Sequence, residues 1–258
     1  MNYFLAIFAG AIQGLTELLP VSSTGHLIVF EKIFRLPQNQ FGLSFDASLH
    51  LGTLLAILLF FYKDYLKALS FKDNLLVKII IATIPAALTG IFLEKLVQDQ
   101  FRQILIVATS LILFSFVIFF AEKYGKKIKK EKELKLMDSL IIGIFQVLAL
   151  VPGVSRSGST ISAGLFLGMK REEAARFAFL ISGPIILGAG LKEFLGVITS
   201  GVSSSEINFF IIGIISSAIF GYLTIKYFLR YLSTKTLYPF IIYRVIFGLI
   251  LLLLASWL

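Results

Sequence analysis

The chain has 258 residues, 57% of them hydrophobic and 15% charged, which is too apolar for a soluble domain that must keep a hydrated surface. Its 24 Lys and Arg outnumber 15 Asp and Glu, but these cations sit between apolar runs, the pattern of membrane loops and not of a nucleic-acid face. Cysteine is absent, which excludes disulfides and thiolate metal sites.

In chain order, residues 1–30 form a first apolar region, interrupted at Pro20-Val21-Ser22-Ser23-Thr24-Gly25. Met1–Gly14 carries no Lys or Arg and runs into polar residues, so it does not read as a cleaved signal peptide. Apolar runs follow at 47–62, 76–93 and 103–121, then a basic stretch at 122–137. Residues 139–168 form a second interrupted region, broken at Pro152-Gly153-Val154-Ser155-Arg156-Ser157-Gly158, and runs at 174–191, 207–225 and 238–257 complete the chain. The six uninterrupted runs approach the ~20 residues that cross a bilayer, which predicts six spanning helices in an all-α polytopic membrane protein.

Loop charge sorts the connections into two sides. Lys63, Lys67 and Lys72, then Lys123, Lys126, Lys127, Lys129, Lys130, Lys132 and Lys135, then Lys226, Arg230 and Lys235 mark cytoplasmic loops. The alternate connections hold Lys32 and Arg35, Lys95 and Arg102, and Lys192, so both termini are expected outside. The 122–137 stretch also has the charge to attract anionic lipid, although an ordinary positive-inside loop accounts for it.

A shift of 133 residues lays Gly10, Gln13, Leu15, Val21, Ser22, Gly25 and Ile28 on Gly143, Gln146, Leu148, Val154, Ser155, Gly158 and Ile161. A weaker match sets 81–90 over 212–221, with Ala87 on Ala218 and Gly90 on Gly221. The halves are about 1–122 and 138–258 of one membrane domain, joined by the basic cytoplasmic loop. If each interrupted segment is a re-entrant helical hairpin, every half crosses the membrane three times and the second is inverted relative to the first. The two hairpins then meet near the midplane, where irregular backbone is tolerated only inside protein or against a wet cavity.

The first interrupted segment carries Gln13, Thr16, Glu17, Ser22, Ser23, Thr24 and His26 among apolar residues, and ionisable groups at such depth read as functional. Gln13 and Glu17 share a helix face. Pro20 ends that helix, so Ser22, Ser23 or Thr24 can cap the next and leave its first N–H groups facing an anion. The second segment repeats the breaker and hydroxyls and adds Arg156, whose fork suits phosphate oxygens; an internal pair with Glu17 is the alternative. Ser155, Ser157, Ser159 and Thr160 read as hydrogen bonders to backbone or phosphate. Ser23 and His26 lie one helical turn apart. His50, in an apolar run, reads first as a hydrogen-bonded core residue, and Gly164-Leu165-Phe166-Leu167-Gly168 as a small-residue packing motif.

Gln13-Gly14-Leu15-Thr16-Glu17-Leu18-Leu19-Pro20-Val21-Ser22-Ser23-Thr24-Gly25-His26 and Pro152-Gly153-Val154-Ser155-Arg156-Ser157-Gly158-Ser159-Thr160 resemble the two signatures of the undecaprenyl-diphosphate phosphatase family, the bacitracin-resistance type. The likeness extends through 45–53 and 171–177 and covers essentially the whole chain. It implies hydrolysis of undecaprenyl diphosphate to undecaprenyl phosphate and inorganic phosphate in the bacterial plasma membrane, which recycles the lipid carrier for cell-wall glycans. Carried over by position, Ser23 is the nucleophile, Glu17 a base or metal ligand, His26 a nearby acid or base, and Arg156 the phosphate binder. Ser22, Thr24, Ser155, Ser157 and Thr160 join the phosphate site, and a divalent cation, Mg²⁺ or Ca²⁺, would use Glu17 and Gln13. Gln13 stands where other members have Glu; the family pattern allows either residue, and a carboxylate that could bind metal is lost here.

The expected partners are the lipid diphosphate and membrane lipids, without nucleic acid; a homodimer is left open. A lipid or anion transporter or flippase is the second hypothesis, because broken helices in inverted repeats also build transporters. An intramembrane serine peptidase would leave Arg156 unexplained. The site is expected to open to the outer face.

Overall fold

The computed structural model describes residues 3–34, 43–70, 73–100, 103–199 and 204–255, with the side chains at 43–44, 94–100, 192–199 and 204–206 set aside. Arg35, Lys72 and Arg102 of the loop-charge pattern lie outside the described residues, as do the side chains of Lys95 and Lys192 and the last residues of the 238–257 run.

Eleven α-helices are present among the described residues: α1 (Tyr3–Leu18), α2 (Ser23–Ile33), α3 (Leu43–Phe60), α4 (Tyr62–Leu69), α5 (Leu75–Gln100), α6 (Ile104–Tyr124), α7 (Leu136–Leu148), α8 (Arg156–Phe166), α9 (Arg171–Thr199), α10 (Ser204–Leu232) and α11 (Tyr238–Leu254). Four stretches are long and apolar enough to cross a membrane: Leu75–Leu93, Ile104–Tyr124, Arg171–Leu191 and Ile207–Leu232. Phe45–Phe60 and Tyr62–Leu69 together make a fifth, bent by 72° at Phe61. The sixth expected span, 238–257, is represented by α11, a shorter apolar helix of 17 residues. The protein is therefore all-α and polytopic, and its apolar side chains face outward in a ring that includes Phe4, Phe92, Leu113 and Leu253 while Gln13, Ser139, Ser159, Ser217 and Arg244 are buried. That distribution suits lipid as the outer solvent, since the helices satisfy their own interior backbone groups.

The two interrupted segments are helix, break, helix, as their prolines dictate. Pro20 lacks an N–H and disfavours helix in the residue before it, so α1 stops at Leu18; Pro152 and Gly153, the latter at φ +97°, separate α7 from α8 in the same way.

The long helices cross-link the halves in matched pairs. α1 packs on α10, and α7, which aligns with α1 under the sequence shift, packs on α5. A Cβ on Gly10 would strike the Gly213 carbonyl, and one on Gly143 would lie 2.6 Å from the Ala82 carbonyl, so both contacts bring helix backbones together where only glycine fits. α3 packs on α9 and α6 on α11. In the Gly164 motif, Gly164 faces Ala174 of α9, but Gly168 lies beyond the end of α8 at φ +88°. The two glycines therefore do not line one helix face; the second ends the helix in the left-handed turn that glycine favours.

The basic linker is pinned, not loose. Lys78 Nζ donates to the carbonyls of Glu131 and Lys132 at 3.2 Å each, and Lys170 N donates to the Lys129 carbonyl at 2.9 Å. Arg171 grips the buried Glu122 carboxylate through two of its nitrogens. These contacts tie the start of α9 to the end of α6 and close the linker end of the bundle.

Candidate active site

Both breaks lead into helix starts held in the same unusual backbone. Ser22 precedes α2 at φ 72°, ψ 96°, and Ser155 precedes α8 at φ 76°, ψ 119°. Side-chain residues rarely adopt positive φ, and each instance costs on the order of 1–3 kcal/mol. The two serines are partners under the 133-residue shift, so the same strained turn occurs at corresponding positions of both halves. The Ser155 side chain caps α8 by accepting from Gly158 N at 3.2 Å, whereas Ser22 occupies the N-cap position of α2 without a side-chain capping bond. The first N–H groups of each helix lack intrahelical acceptors and lie beside the cavity between the breaks.

That cavity, about 60 Å³, is lined on one side by Glu17, Ser22, Ser23, Thr24 and His50 and on the other by Pro152, Gly153, Ser155 and Arg156. Glu17 is its hub. Oε2 accepts from Ser23 Oγ at 2.5 Å and from Gln13 Nε2 at 3.2 Å and lies 3.4 Å from His50 Nε2; Oε1 accepts from Arg156 Nη2 at 2.9 Å. The Glu17 pair, the alternative reading of Arg156, is present through Nη2, while the buried Nη1 has no hydrogen-bond partner. A guanidinium donor without an acceptor is costly, and a phosphate oxygen in the adjoining cavity would satisfy it.

Other expected site residues go elsewhere. His26 is one turn from Ser23 in sequence, yet its Nδ1 donates to the Ser22 carbonyl at 2.7 Å and its Nε2 lies 2.5 Å from the Tyr243 hydroxyl, with the ring stacked on Tyr243 and Phe247. Ser157 Oγ donates to the Leu19 carbonyl at 2.8 Å, and Thr160 Oγ1 donates to the Arg156 carbonyl at 2.8 Å, so neither hydroxyl lines the cavity. Ser159 donates to the Phe145 carbonyl and holds α8 on α7.

A divalent cation on Glu17 and Gln13 would have to share Glu17 with its protein donors. No group of three or more His, Cys, Asp or Glu is placed to hold a metal among the described residues, and both Glu17 oxygens already face protein donors. Gln13 Oε1 is buried without a donor, but it is one neutral oxygen beside a carboxylate already paired with Arg156.

Arg244 was not visible as a site residue, although a charge in the apolar 238–257 run is itself a signal of function. It is completely buried and donates to the carbonyls of Pro20 (3.1 Å), Gly153 (2.9 Å) and Leu111 (3.2 Å) and to Ser115 Oγ (3.1 Å). One guanidinium on α11 thus fastens both breaks to α6 from behind the cavity.

Comparison with known proteins finds that residues 6–250 match the family model described as Bacitracin resistance protein BacA. The chain is 40% identical to an undecaprenyl-diphosphatase of Geotalea daltonii over 96% of both chains. It is 45% identical to one of Thermodesulfovibrio yellowstonii over 93% of both, and 41% identical to one of Thermomicrobium roseum over 100% of this chain and 99% of the relative.

Proposed function

Since the chain belongs to the bacitracin resistance protein BacA family and is an undecaprenyl-diphosphatase of the multi-pass membrane type, we propose that Ser23 attacks the terminal phosphorus of the lipid diphosphate between the two helix breaks. The observation that carries this reading is the Glu17 hub, which joins a serine hydroxyl and an arginine on one buried carboxylate. Ser23 passes its proton to Glu17 Oε2 as the Oγ–P bond forms and the anhydride P–O bond breaks; the lipid monophosphate leaves with the electron pair. Arg156 and the N–H groups that open α2 and α8 stabilise the charge on the transferring phosphoryl oxygens. Water then attacks phosphorus as the Oγ–P bond breaks, Glu17 returns its proton to Ser23 Oγ, and inorganic phosphate leaves as H2PO4⁻ with both protons of the water.

His26 supports the strained Ser22 turn through its carbonyl; to act as the acid or base it would have to release that carbonyl and Tyr243. Ser22, Thr24 and Ser155 contribute to the phosphate seat, and Ser157 and Thr160 shape the α8 start that carries Arg156. A Mg²⁺ or Ca²⁺ ion would offset the diphosphate charge, with Glu17 and Gln13 Oε1 the residues that could hold it.

The architecture we infer is six crossings and two re-entrant hairpins in an inverted repeat of about 1–122 and 138–258. The matched packing of α1 on α10 and α7 on α5 and the matched strained serines support it. Loop charge supports a bacterial plasma membrane protein with both termini and the cavity facing outside, where it would recycle the lipid carrier of cell-wall glycans. A transporter of the same architecture would release no phosphate. The test is purified full-length protein in detergent with a long-chain isoprenyl diphosphate: stoichiometric inorganic phosphate and lipid monophosphate without any gradient are expected, and their absence overturns the mechanism.

A further inference from the structure

His50 carries a constraint that Ser23 and Glu17 alone do not explain. Its Nδ1 lies 2.9 Å from the Asp46 carbonyl oxygen, one turn back on α3. A carbonyl oxygen only accepts, so Nδ1 carries a proton. On the opposite side Nε2 lies 3.4 Å from Glu17 Oε2, the same oxygen that accepts from Ser23. A bare Nε2 would set its lone pair against a carboxylate oxygen, so a proton sits between them, on the imidazole or on the carboxyl. Arg156 and Gln13 both donate to this carboxyl group, an arrangement made for an anion, and that assigns the proton to the imidazole.

We infer that His50 is a positioning residue of the phosphatase reaction: as an imidazolium it holds Glu17 as a carboxylate turned to Ser23 and sets a second cation beside Arg156 in the phosphate cavity. The inference rests on Ser23 as nucleophile and adds what keeps its base in place. The charged side chains facing His50 from neighbouring helices are Glu17 on α1 and Arg156 on α8; Asp46 lies on its own helix. With Glu17 anionic and both partners cationic, the cavity has a net charge of about +1 by simple addition, suited to an incoming diphosphate. When Ser23 hands its proton to Oε2, Glu17 loses its charge and its pull on both cations. Arg156 and His50 are then free to face the phosphoryl group on Ser23. The proton returns to Ser23 in the water step, so His50 neither gains nor loses one over the cycle.

The experiment uses full-length protein in detergent and measures phosphate release from an isoprenyl diphosphate by wild type, His50→Gln and His50→Ala. The expected result is a kcat lower by roughly a hundredfold in both variants, with a smaller rise in KM from the lost cation. Added imidazole is expected to restore much of the lost kcat in His50→Ala and little in His50→Gln, whose side chain fills the space. Wild-type kcat in His50→Gln, or a His50→Ala defect that imidazole leaves unchanged, would overturn the inference. Acid quenching with radiolabelled terminal phosphate separates the two readings. If no phosphoserine forms in the wild type, the Ser23 mechanism falls and this inference with it; if it forms in His50→Gln at the wild-type rate, the inference alone falls.

Discussion

Ser23 Oγ donates a 2.5 Å hydrogen bond to Glu17 Oε2 across the Pro20 turn. The turn returns the chain so that the first residue of α2 faces the last turn of α1, and the hydroxyl meets a carboxylate six residues behind it. With Ser23 as nucleophile and Glu17 as its base, Ser23→Ala and Glu17→Gln are each expected to lower phosphate release by at least about a hundredfold with smaller effects on KM. Turnover assays of folded, detergent-purified variants decide this; near-normal kcat in Ser23→Ala would move the nucleophile elsewhere.

Arg156 offers Nη2 to Glu17 and has Nη1 left over beside the cavity. A lysine at that position keeps the charge but has one nitrogen, which cannot serve Glu17 and a phosphate oxygen in the same planar geometry. Arg156→Lys is therefore expected to lose on the order of a hundredfold in kcat/KM, close to the loss in Arg156→Ala. A lysine variant with most of the wild-type activity would show that charge alone suffices.

Arg244 satisfies carbonyls in both breaks from a fully buried position. In Arg244→Met the volume is nearly kept but the carbonyls of Pro20 and Gly153 lose their donor, at about 1–3 kcal/mol for each buried polar group left unsatisfied. Thermal unfolding in detergent is expected to show a lower midpoint, with phosphate release falling in parallel although Arg244 does not line the cavity. Unchanged stability and activity would mean that the breaks hold themselves.

Gly14 of α1 packs so closely on α10 that an added Cβ would lie 2.6 Å from the Ser217 carbonyl and 2.7 Å from Gly221 N. Backbone cannot retreat as a flexible side chain can, so Gly14→Val is expected to lose at least about 3 kcal/mol or fail to accumulate. Gly188 has open space around its Cβ position, and Gly188→Ala is expected to be neutral or stabilising by up to ~1 kcal/mol. Membrane expression and melting of the pair provide the measurement.

If the divalent cation travels on the diphosphate, chelation should abolish phosphate release while the substrate-free protein binds no Mg²⁺ or Ca²⁺ detectable by calorimetry. Stoichiometric binding to the protein alone would point to a resident site, with Gln13 Oε1 and Glu17 its nearest oxygens.

Much of the helical layout was legible because hydrophobicity and helix breaking are local. Runs of apolar residues marked the long helices, and Pro20 and Pro152 marked both interruptions. The bend at Phe61 was not legible, since no proline or glycine stands there and the turn is set by packing, with Phe61 buried against Phe60 and Phe179. The sequence left Ser23 two partners, Glu17 and His26. Helical spacing allowed His26, but Ser23 is the first residue of α2 and its hydroxyl reaches back to Glu17 of α1, while His26 is drawn off by Tyr243 of α11.

The sequence by itself determined that this is a membrane protein with two proline-broken, serine-rich segments, and it singled out Glu17, Ser23 and Arg156 among the residues to follow. Only the tertiary structure decided that Glu17 receives Ser23, His50 and Arg156 together, and that Arg244 fastens both breaks. The physical reason is distance along the chain. Periodicity reports which face of one helix is apolar, whereas a contact across 139 or 224 residues depends on how close glycine-lined helices can approach and on which buried donor finds an acceptor once they do.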